Sequence, residues 1–224
     1  MRRPRIPRRP GGAAGIRPRL FRRCSRRAED RLVLRPARQP RLRGTAALPR
    51  RRLLDAYCYG GSFAVAAAVA GASAVVGIDS SEPALALARR AVEANGIAGR
   101  STFRRAEVFG ELERLGRLGE RYRVVVADPP AFVRSKKELG SGLRGYRKLA
   151  RLAAALVEPQ GFLFVASCSH NVEPAALLAE VVRGVAAAGR SGRIIREAKA
   201  AADHPVHTHL PETAYLNSVP LQLD

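Results

Sequence analysis

From residue 53 onward, the chain alternates short apolar runs with longer stretches whose apolar residues recur at helical spacing. The short runs predict strands, because four to eight consecutive apolar or β-branched residues are typical of a strand buried on both faces. The predicted strands are LLDAY (53–57), AVVGID (74–79), STFRRA (101–106), VVVAD (124–128) and FLFVAS (162–167).

The stretches between these strands predict five helices, at about 63–70, 82–95, 107–117, 144–157 and 173–188. The second helix has the clearest ends. Ser80 or Ser81 can cap it, Pro83 falls in its first turn, and Gly96 follows its last residue. Strands that alternate with helices in this way predict repeated βα units around a parallel sheet.

Two further strands are predicted after the last helix, RIIREA (193–198) and YLNSVPLQL (215–223). No helix lies between them, so we expect them to close the sheet as an antiparallel pair. The pattern therefore predicts an α/β fold with a doubly wound, mostly parallel sheet of seven strands, helices on both faces and an antiparallel final strand.

The first fifty residues show no apolar period of 3.6 or 2. Residues 1–52 contain nineteen arginines, no lysine and two acids, a net charge of +17, which leaves +4 for the other 172 residues. We place a boundary near residue 50, between an Arg/Pro-rich segment (1–50) and a folded domain (51–224). Three interpretations of the segment stay open: a flexible arm for nucleic-acid phosphates, a targeting leader, or the remnant of a damaged upstream region.

Composition limits the remaining possibilities. A chain of 224 residues, 46% of them hydrophobic, is long enough for one well-buried domain. No run of about 18 apolar residues occurs, which predicts a soluble, cytoplasmic protein without a membrane partner. The chain has three cysteines, Cys24, Cys58 and Cys168. Because they are far apart and odd in number, neither a disulfide framework nor a zinc site is expected.

Candidate chemistry is sought at the carboxyl ends of the strands, where open parallel sheets bind ligands. The first strand runs into Gly60 and Gly61, whose backbone can pass close to a ligand. The second strand ends at Asp79, nineteen residues after Gly60, and a carboxylate at that spacing can accept both hydroxyls of a ribose. Together these features predict a cofactor that carries a nucleoside.

The fourth strand ends in ADPPAF. Its prolines rigidify the loop and withhold amide donors, which leaves carbonyl groups and the Asp128 carboxylate as acceptors for an amino-bearing base, with Phe132 available to stack on it. The loop YGGSF is not GxGxxG, so NAD binding is not favoured. The prolines near His204, His207 and His209, without matching ligands elsewhere, argue against a metal site.

The fifth strand runs out into FVASCSHN, which places Cys168 between two serines at the end of a buried strand. A cysteine in a core needs no explanation, but one at a strand end is a candidate nucleophile. We expect the serines to be small neighbours that leave the thiol accessible.

Five motifs carry a resemblance to a known family: LLDAYCYGGSFA, VVGIDSSEPALALARRAVEANG, VVVADPPAFVRSKKEL followed by LRGY, FVASCSHNV, and AADHPVHTHLPETAYL. In order and spacing, the span from about 53 to 220 resembles the catalytic domain of class I S-adenosylmethionine-dependent methyltransferases, specifically the 23S-type ribosomal RNA cytosine-5 methyltransferases. The fold implied is the Rossmann-like methyltransferase sheet, and the partner implied is ribosomal RNA or the ribosomal subunit.

The resemblance also implies roles for individual residues. The S-adenosylmethionine site would be formed by Asp55, Tyr59, Gly60, Gly61, Phe63, Asp79, Ser80, Glu107, Asp128 and Pro129. Asp79 would hold the ribose, and Glu107 would take the place of an aspartate near the adenine amino group. Pro130 and Phe132 would contact the target base, while Asp128 and Cys168 would act in catalysis.

The expected chemistry explains the cysteine. Carbon 5 of cytosine is a poor nucleophile, and attack of a thiolate on carbon 6 makes it carbanion-like. A related guanine-N7 branch shares the DPP loop but has asparagines at the cysteine motif, because a ring nitrogen needs no covalent help. Family members also carry an upstream RNA-binding domain and a segment with an Asp-Gln-Arg motif. Residues 1–52 resemble neither, which suggests a catalytic-core fragment. Two alternatives stay open: guanine-N7 methylation and, from a different class, a degenerate or truncated non-catalytic module that binds RNA through the basic segment.

Overall fold

The computed structural model describes residues 51–199, 207–210 and 213–224; the segment 1–50, Cys24 and His204 lie outside the described residues. The helices are α1 Ser62–Val69, α2 Glu82–Ala94, α3 Val108–Arg117, α4 Leu139–Ala155 and α5 Pro174–Ala187. The strands are β1 Arg52–Ala56, β2 Ala74–Asp79, β3 Ser101–Arg105, β4 Tyr122–Ala127, β5 Val157–Ser167, β6 Gly192–Ile194, β7 Ala198–Lys199 and β8 Asn217–Leu223. Two short 3₁₀ helices, Ala98–Arg100 and Lys136–Glu138, precede β3 and α4.

One sheet contains all eight strands, in the order β3-β2-β1-β4-β5-β8-β6, with β7 also paired to β8. The pairs among β1 to β5 are parallel, and β8 is antiparallel to β5, β6 and β7. This confirms the predicted doubly wound fold with its antiparallel final strand, and the two-residue β7 accounts for the eighth strand. The strand order reverses between β1 and β4, the position at which such sheets bind ligands.

Helices cover both faces of the sheet, as predicted. Helices α3, α4 and α5 pack on the face that carries Leu54 and Ala56, while α1 and α2 pack on the face that carries Leu53. Because side chains alternate along a strand, Asp55 points to the same face as Leu53, beneath the start of α1. The backbone amide of Ala64 in α1 donates to its carboxylate.

Most predicted boundaries agree with the structure within two residues, and three do not. The strand predicted at 193–198 is interrupted: β6 ends at Ile194 and pairing with β8 resumes at Ala198 in β7, because Pro220 of β8 has no amide hydrogen to donate between them. Helix α4 begins at Leu139 rather than at 144. The prediction missed its first turns because they contain glycines, which weaken the helical pattern in the sequence. Strand β5 begins at Val157 rather than at 162, although EPQG reads as a turn. There Gln160 takes a left-handed φ of 60°, and the pairing of β5 with β4 shifts its register.

Candidate active site

The carboxyl ends of β1, β2, β4 and β5 lie at one edge of the sheet. Three loops leave that edge: the β1 loop (residues 57–61), the β4 loop (128–133) and the β5 loop (168–171). The sequence-predicted site residues lie on these loops and strand ends, except Phe63 in α1 and Glu107, which precedes α3.

The β1 loop has an unusual backbone. Tyr57, Tyr59 and Gly61 all take positive φ values, of 62°, 45° and 76°. For a non-glycine residue this conformation costs about 1–3 kcal/mol and is found mainly where function requires it. At Gly61 a side chain is also blocked by space, because a Cβ atom would lie 2.9 Å from the Cβ of Ala88; at Gly60 no heavy atom lies within 4 Å of that position.

Asp79, at the end of β2, holds the β1 loop in place. Its Oδ2 accepts a hydrogen bond from the Tyr59 amide at 2.9 Å, and its Oδ1 accepts one from the Ser81 amide at 2.8 Å. Each carboxylate oxygen can accept a second hydrogen bond. Asp79 can therefore brace the loop and still accept from ligand hydroxyls. Its neighbour Ser80 is exposed, and Ser81, not Ser80, caps α2.

Asp55 is a buried carboxyl group with incomplete hydrogen bonding. Oδ2 accepts from the Ala64 amide at 3.1 Å, whereas Oδ1 has no partner within the described part of the chain. Burial, together with smaller contributions from the negative charges of Asp128 and Asp79, raises the pKa of Asp55 to about 8, against the hydrogen bond from the Ala64 amide, which lowers it. Three carboxyl groups thus gather around the β1 loop, an arrangement that suits a ligand with positive charge and hydrogen-bond donors.

Glu107 and Phe63 lie at the margins of this group. Glu107 is exposed and caps α3, because its carboxylate accepts from the Phe109 amide at 3.0 Å and the Gly110 amide at 2.7 Å. The Phe63 ring is half-buried, with its centroid 5.6 Å from that of Phe164. Both residues border the loops, but their own contacts already define a structural role for each.

The β4 loop is tied to the strand beside it. The Asp128 amide donates to the carbonyl of Ala56 in β1 at 3.3 Å, and burial raises the pKa of the Asp128 carboxyl to about 6. Pro129 is buried and Pro130 is exposed. A carboxyl group with a pKa near 6 can carry a proton or a charge close to neutrality, as proton-transfer catalysis requires.

Phe132, the predicted base-stacking residue, is surrounded by other aromatic rings. Its centroid lies 6.4 Å from that of Tyr57, 6.0 Å from Phe109 and 4.8 Å from Tyr146. The ring is half-buried and joins the core under the loop. The structure thus brings Phe132 to the predicted edge of the sheet, where its contacts fix the shape of the loop.

Cys168 follows β5 directly and is half-buried. Its Sγ lies 3.8 Å from the carbonyl oxygen of Pro129, so the thiol and the Asp128–Pro129 segment are neighbours. The second described cysteine differs: Cys58 is buried in the β1 loop, and burial raises the pKa of its thiol. Cys58 is therefore a packing residue. His170, which lies two residues after the candidate nucleophile, is exposed.

Sequence reasoning missed the polar residues that surround Cys168. Ser167 and Ser169 are buried, and both hydroxyls are hydrogen-bonded to the hydroxyl of Tyr146, at 2.7 and 2.9 Å. The serines are therefore more than small neighbours of the thiol. A signal was present, since Tyr146 ends the LRGY motif, but sequence spacing alone does not reveal its partners.

Two classes of feature are not found in the described ranges. No group of three or more His, Cys, Asp or Glu side chains there is arranged to hold a metal ion. Among the same residues, no helix is long and apolar enough to cross a membrane.

Comparison with known proteins gives consistent matches. A family model described as S-adenosylmethionine-dependent methyltransferase matches residues 15–201. Ribosomal RNA large subunit methyltransferase I of Aeromonas hydrophila is 38% identical over 170 residues, which cover 75% of this chain and 43% of the relative. The same-named protein of Enterobacter sp. is 38% identical over 167 residues, which cover 74% of this chain and 42% of the relative.

Solved structures agree on the fold. SMU.776 in complex with SAH superposes with a TM-score of 0.66 at 21% identity, covering 76% of this chain and 44% of that one. TrmN from Thermus thermophilus gives a TM-score of 0.55 at 25% identity, and the match covers 79% of this chain and 45% of TrmN. The chain spans less than half the length of the curated relatives it matches.

Proposed function

The chain belongs to the S-adenosylmethionine-dependent methyltransferase family, and from this premise we propose that it methylates carbon 5 of a cytosine in large-subunit ribosomal RNA through a covalent adduct on Cys168. The family and the cofactor predicted from the sequence are thereby confirmed, while the reaction and its substrate are our proposal. A cytoplasmic location, where ribosomes are found, is part of it.

The observation that carries the proposal is the position of Cys168. Its Sγ lies 3.8 Å from the carbonyl oxygen of Pro129, and Pro129 is the residue that follows Asp128 in the sequence. A nucleophile and an acid–base group on adjacent strand ends can act on opposite parts of one flat ring. Methylation of a ring nitrogen would not need the thiol, because the lone pair of the nitrogen is already available.

The residues of the site support the cofactor. S-adenosylmethionine supplies an electrophilic methyl group on a positively charged sulfonium centre. Oδ1 of Asp55, which has no partner among the described residues, and the carboxylate of Asp79 offer acceptors for such a ligand, and the negative charge of Asp79 complements the sulfonium. The left-handed β1 loop presents its backbone at the same place, and the open space above Gly60 leaves room for close approach.

In the proposed reaction, the Cys168 thiolate adds to carbon 6 of the cytosine, which places electron density on carbon 5. Asp128, whose pKa of about 6 allows it to carry a proton, would donate a hydrogen bond to the ring nitrogen as charge develops there. Carbon 5 then takes the methyl group, which leaves S-adenosylhomocysteine, and gives its proton to water. The electron pair of that carbon–hydrogen bond restores the double bond between carbons 5 and 6 and expels the Cys168 thiolate. Atoms and electrons balance without a metal or a redox partner.

Exposed positive charges beside the loop support an RNA substrate. Arg134, Lys136, Lys137 and Arg144 follow the β4 loop and are exposed, and within the described ranges none of them forms an ion pair. By contrast, Arg147 further along α4 is paired with Glu180. Unpaired cations next to a base-binding loop can bind phosphates by counterion release.

The test is transfer of tritiated methyl groups from S-adenosylmethionine to 23S-type ribosomal RNA by the whole chain. We expect 5-methylcytosine as the product and a loss of about a thousandfold or more in Cys168→Ala. Cys58→Ala is the matched control, since that thiol is buried in packing, and it should retain activity. Equal incorporation by Cys168→Ala would contradict the adduct and favour nitrogen methylation. No incorporation by wild type would favour the non-catalytic RNA-binding module.

A further inference from the structure

Three buried hydroxyl groups surround the backbone of Cys168. Ser167 and Ser169 flank it in sequence and have exposures of 1% and 0%, and Tyr146 on α4 is also 0% exposed. The Tyr146 hydroxyl lies 2.7 Å from the Ser167 Oγ and 2.9 Å from the Ser169 Oγ. One phenol group from a distant helix therefore holds both residues next to the nucleophile.

The same network reaches the β4 loop. The Val133 amide donates to the Ser169 Oγ at 3.2 Å, and the Ser169 amide donates to the Ser167 Oγ at 3.2 Å. Both backbone donors are buried, and a buried donor that loses its acceptor costs about 1–3 kcal/mol. The network thus links α4, the end of β5 and the loop that carries Asp128 and Pro129.

Packing keeps Tyr146 in this position. The centroid of its ring lies 4.8 Å from that of Phe132, a residue of the β4 loop. Gly142 lets the helix approach that loop, because a Cβ atom there would lie 2.7 Å from the Phe132 carbonyl oxygen. Burial raises the pKa of Tyr146, against smaller opposing contributions from Ser167, Ser169 and the Phe132 backbone, so the phenol keeps its proton.

We propose that Tyr146 is a positioning residue whose hydroxyl sets the distance between the Cys168 thiol and the Asp128–Pro129 segment. This inference rests on the proposed function, in which the thiol and Asp128 act on one ring. Cys168 is fixed on both sides by hydrogen-bonded serines, while its side chain lies beside the Pro129 carbonyl. Displacement of a reacting group by about 1 Å can reduce a rate about a hundredfold.

The decisive variant is Tyr146→Phe, which removes the hydroxyl and keeps the ring against Phe132. We expect kcat for methyl transfer to fall about ten- to hundredfold, with the KM for S-adenosylmethionine unchanged, because the β1 loop is untouched. Tyr122→Phe is the matched control: that tyrosine is 1% exposed but lies at the opposite end of β4 from the Asp128 loop. It should retain the wild-type kcat.

The partners of the hydroxyl provide a second measurement. Ser169→Ala should cause a similar loss, and the double variant with Tyr146→Phe should lose little more, because residues of one network are not additive. Because the Val133 amide donates to Ser169, hydrogen exchange there should accelerate about tenfold in Tyr146→Phe and stay unchanged in Tyr122→Phe.

The possible outcomes separate the two proposals. An unchanged kcat in Tyr146→Phe, or an equal loss in Tyr122→Phe, would overturn the positioning role while leaving the proposed function intact. If wild type transfers no methyl group to ribosomal RNA, the proposed function falls, and exchange at the Val133 amide then decides alone: unchanged exchange in Tyr146→Phe overturns the network, and faster exchange upholds it.

Discussion

The site has two halves that are built in opposite ways. In the cofactor half, formed by the ends of β1 and β2, Asp55 has an oxygen without a partner in the described ranges, and two non-glycine residues take left-handed conformations. In the nucleophile half, formed by the ends of β4 and β5, the buried hydroxyls of Tyr146, Ser167 and Ser169 are all hydrogen-bonded. The cofactor half leaves polar groups available to a ligand, whereas the buried hydroxyl groups of the nucleophile half have their hydrogen-bond partners within the protein.

This difference teaches how the site divides its tasks. The Asp55 oxygen that has no partner among the described residues and the strained loop lower the stability of the protein, and a ligand that donates a hydrogen bond to this oxygen can offset part of that cost. A thiol that must meet a base at a fixed distance gains more from a rigid environment, prepared before the substrate arrives. The predictions below test this contrast, beginning with the largest expected effect.

The pH dependence of stability should come mainly from the cofactor half. The folded pKa of Asp55 is about 8 against an ordinary value of 3.8, so between these values the folded state binds more protons than the unfolded chain. Its stabilising contribution is complete below about pH 4 and is lost as the pH rises through 8. Between pH 6 and 8 we expect the free energy of unfolding to fall by about 2–3 kcal/mol.

Urea unfolding of the cofactor-free chain at pH 6, 7 and 8 measures this effect. Asp55→Asn should lose most of the slope in that range. Asp128→Asn is the matched control in the nucleophile half: its folded pKa is about 6, so it should change the slope only below that pH. If Asp55→Asn keeps the full slope, the buried carboxyl group is not its source.

The same substitution should weaken binding of the cofactor. At pH 9, above its folded pKa of about 8, Asp55 is ionised and Asp55→Asn removes a negative charge from the cofactor half, so we expect the affinity for S-adenosylmethionine to fall about tenfold at that pH. The affinity for S-adenosylhomocysteine should fall less, because that product has lost the sulfonium charge. Titration calorimetry with both ligands measures the difference, and equal losses for the two would argue against charge complementarity.

The smallest effect concerns the backbone of the β1 loop. Gly61→Ala should lower the free energy of unfolding by about 1 kcal/mol, because the left-handed conformation disfavours a side chain and Ala88 lies in the way. Gly60→Ala, one residue earlier and in open space, should change stability by less than half of that amount. Equal stabilities of the two variants in chemical unfolding would refute the strain at Gly61.

Much of the fold was predictable from local pattern. Strand β2 matches its prediction at both ends, and α2 begins beyond a serine cap and ends before Gly96, because the signals for these elements lie within a few residues. Helix α4 was predicted too short because the reason for its glycines is tertiary. Gly142 and Gly145 allow the Phe132 segment to approach, which no local pattern reveals.

The site was predictable in its location but not in its internal contacts. The topology of parallel strands places Asp55, Asp79, Asp128 and Cys168 at one edge, and those residues were named from the sequence. The roles of Glu107 as a helix cap and of Phe132 within an aromatic cluster became visible only from the contacts. Both residue types have several common uses, and the sequence around them does not select one.

The sequence by itself determined the order of elements, the strand ends at which chemistry is possible, and the thiol that we propose as the nucleophile. Only the tertiary structure decided how those groups are held. Within the part of the chain that it describes, one oxygen of Asp55 lacks a partner, and Tyr146 joins two serines across 21 and 23 residues of chain. The physical reason is distance along the chain, since patterns are local while hydrogen bonds and desolvation depend on which segments the fold brings together.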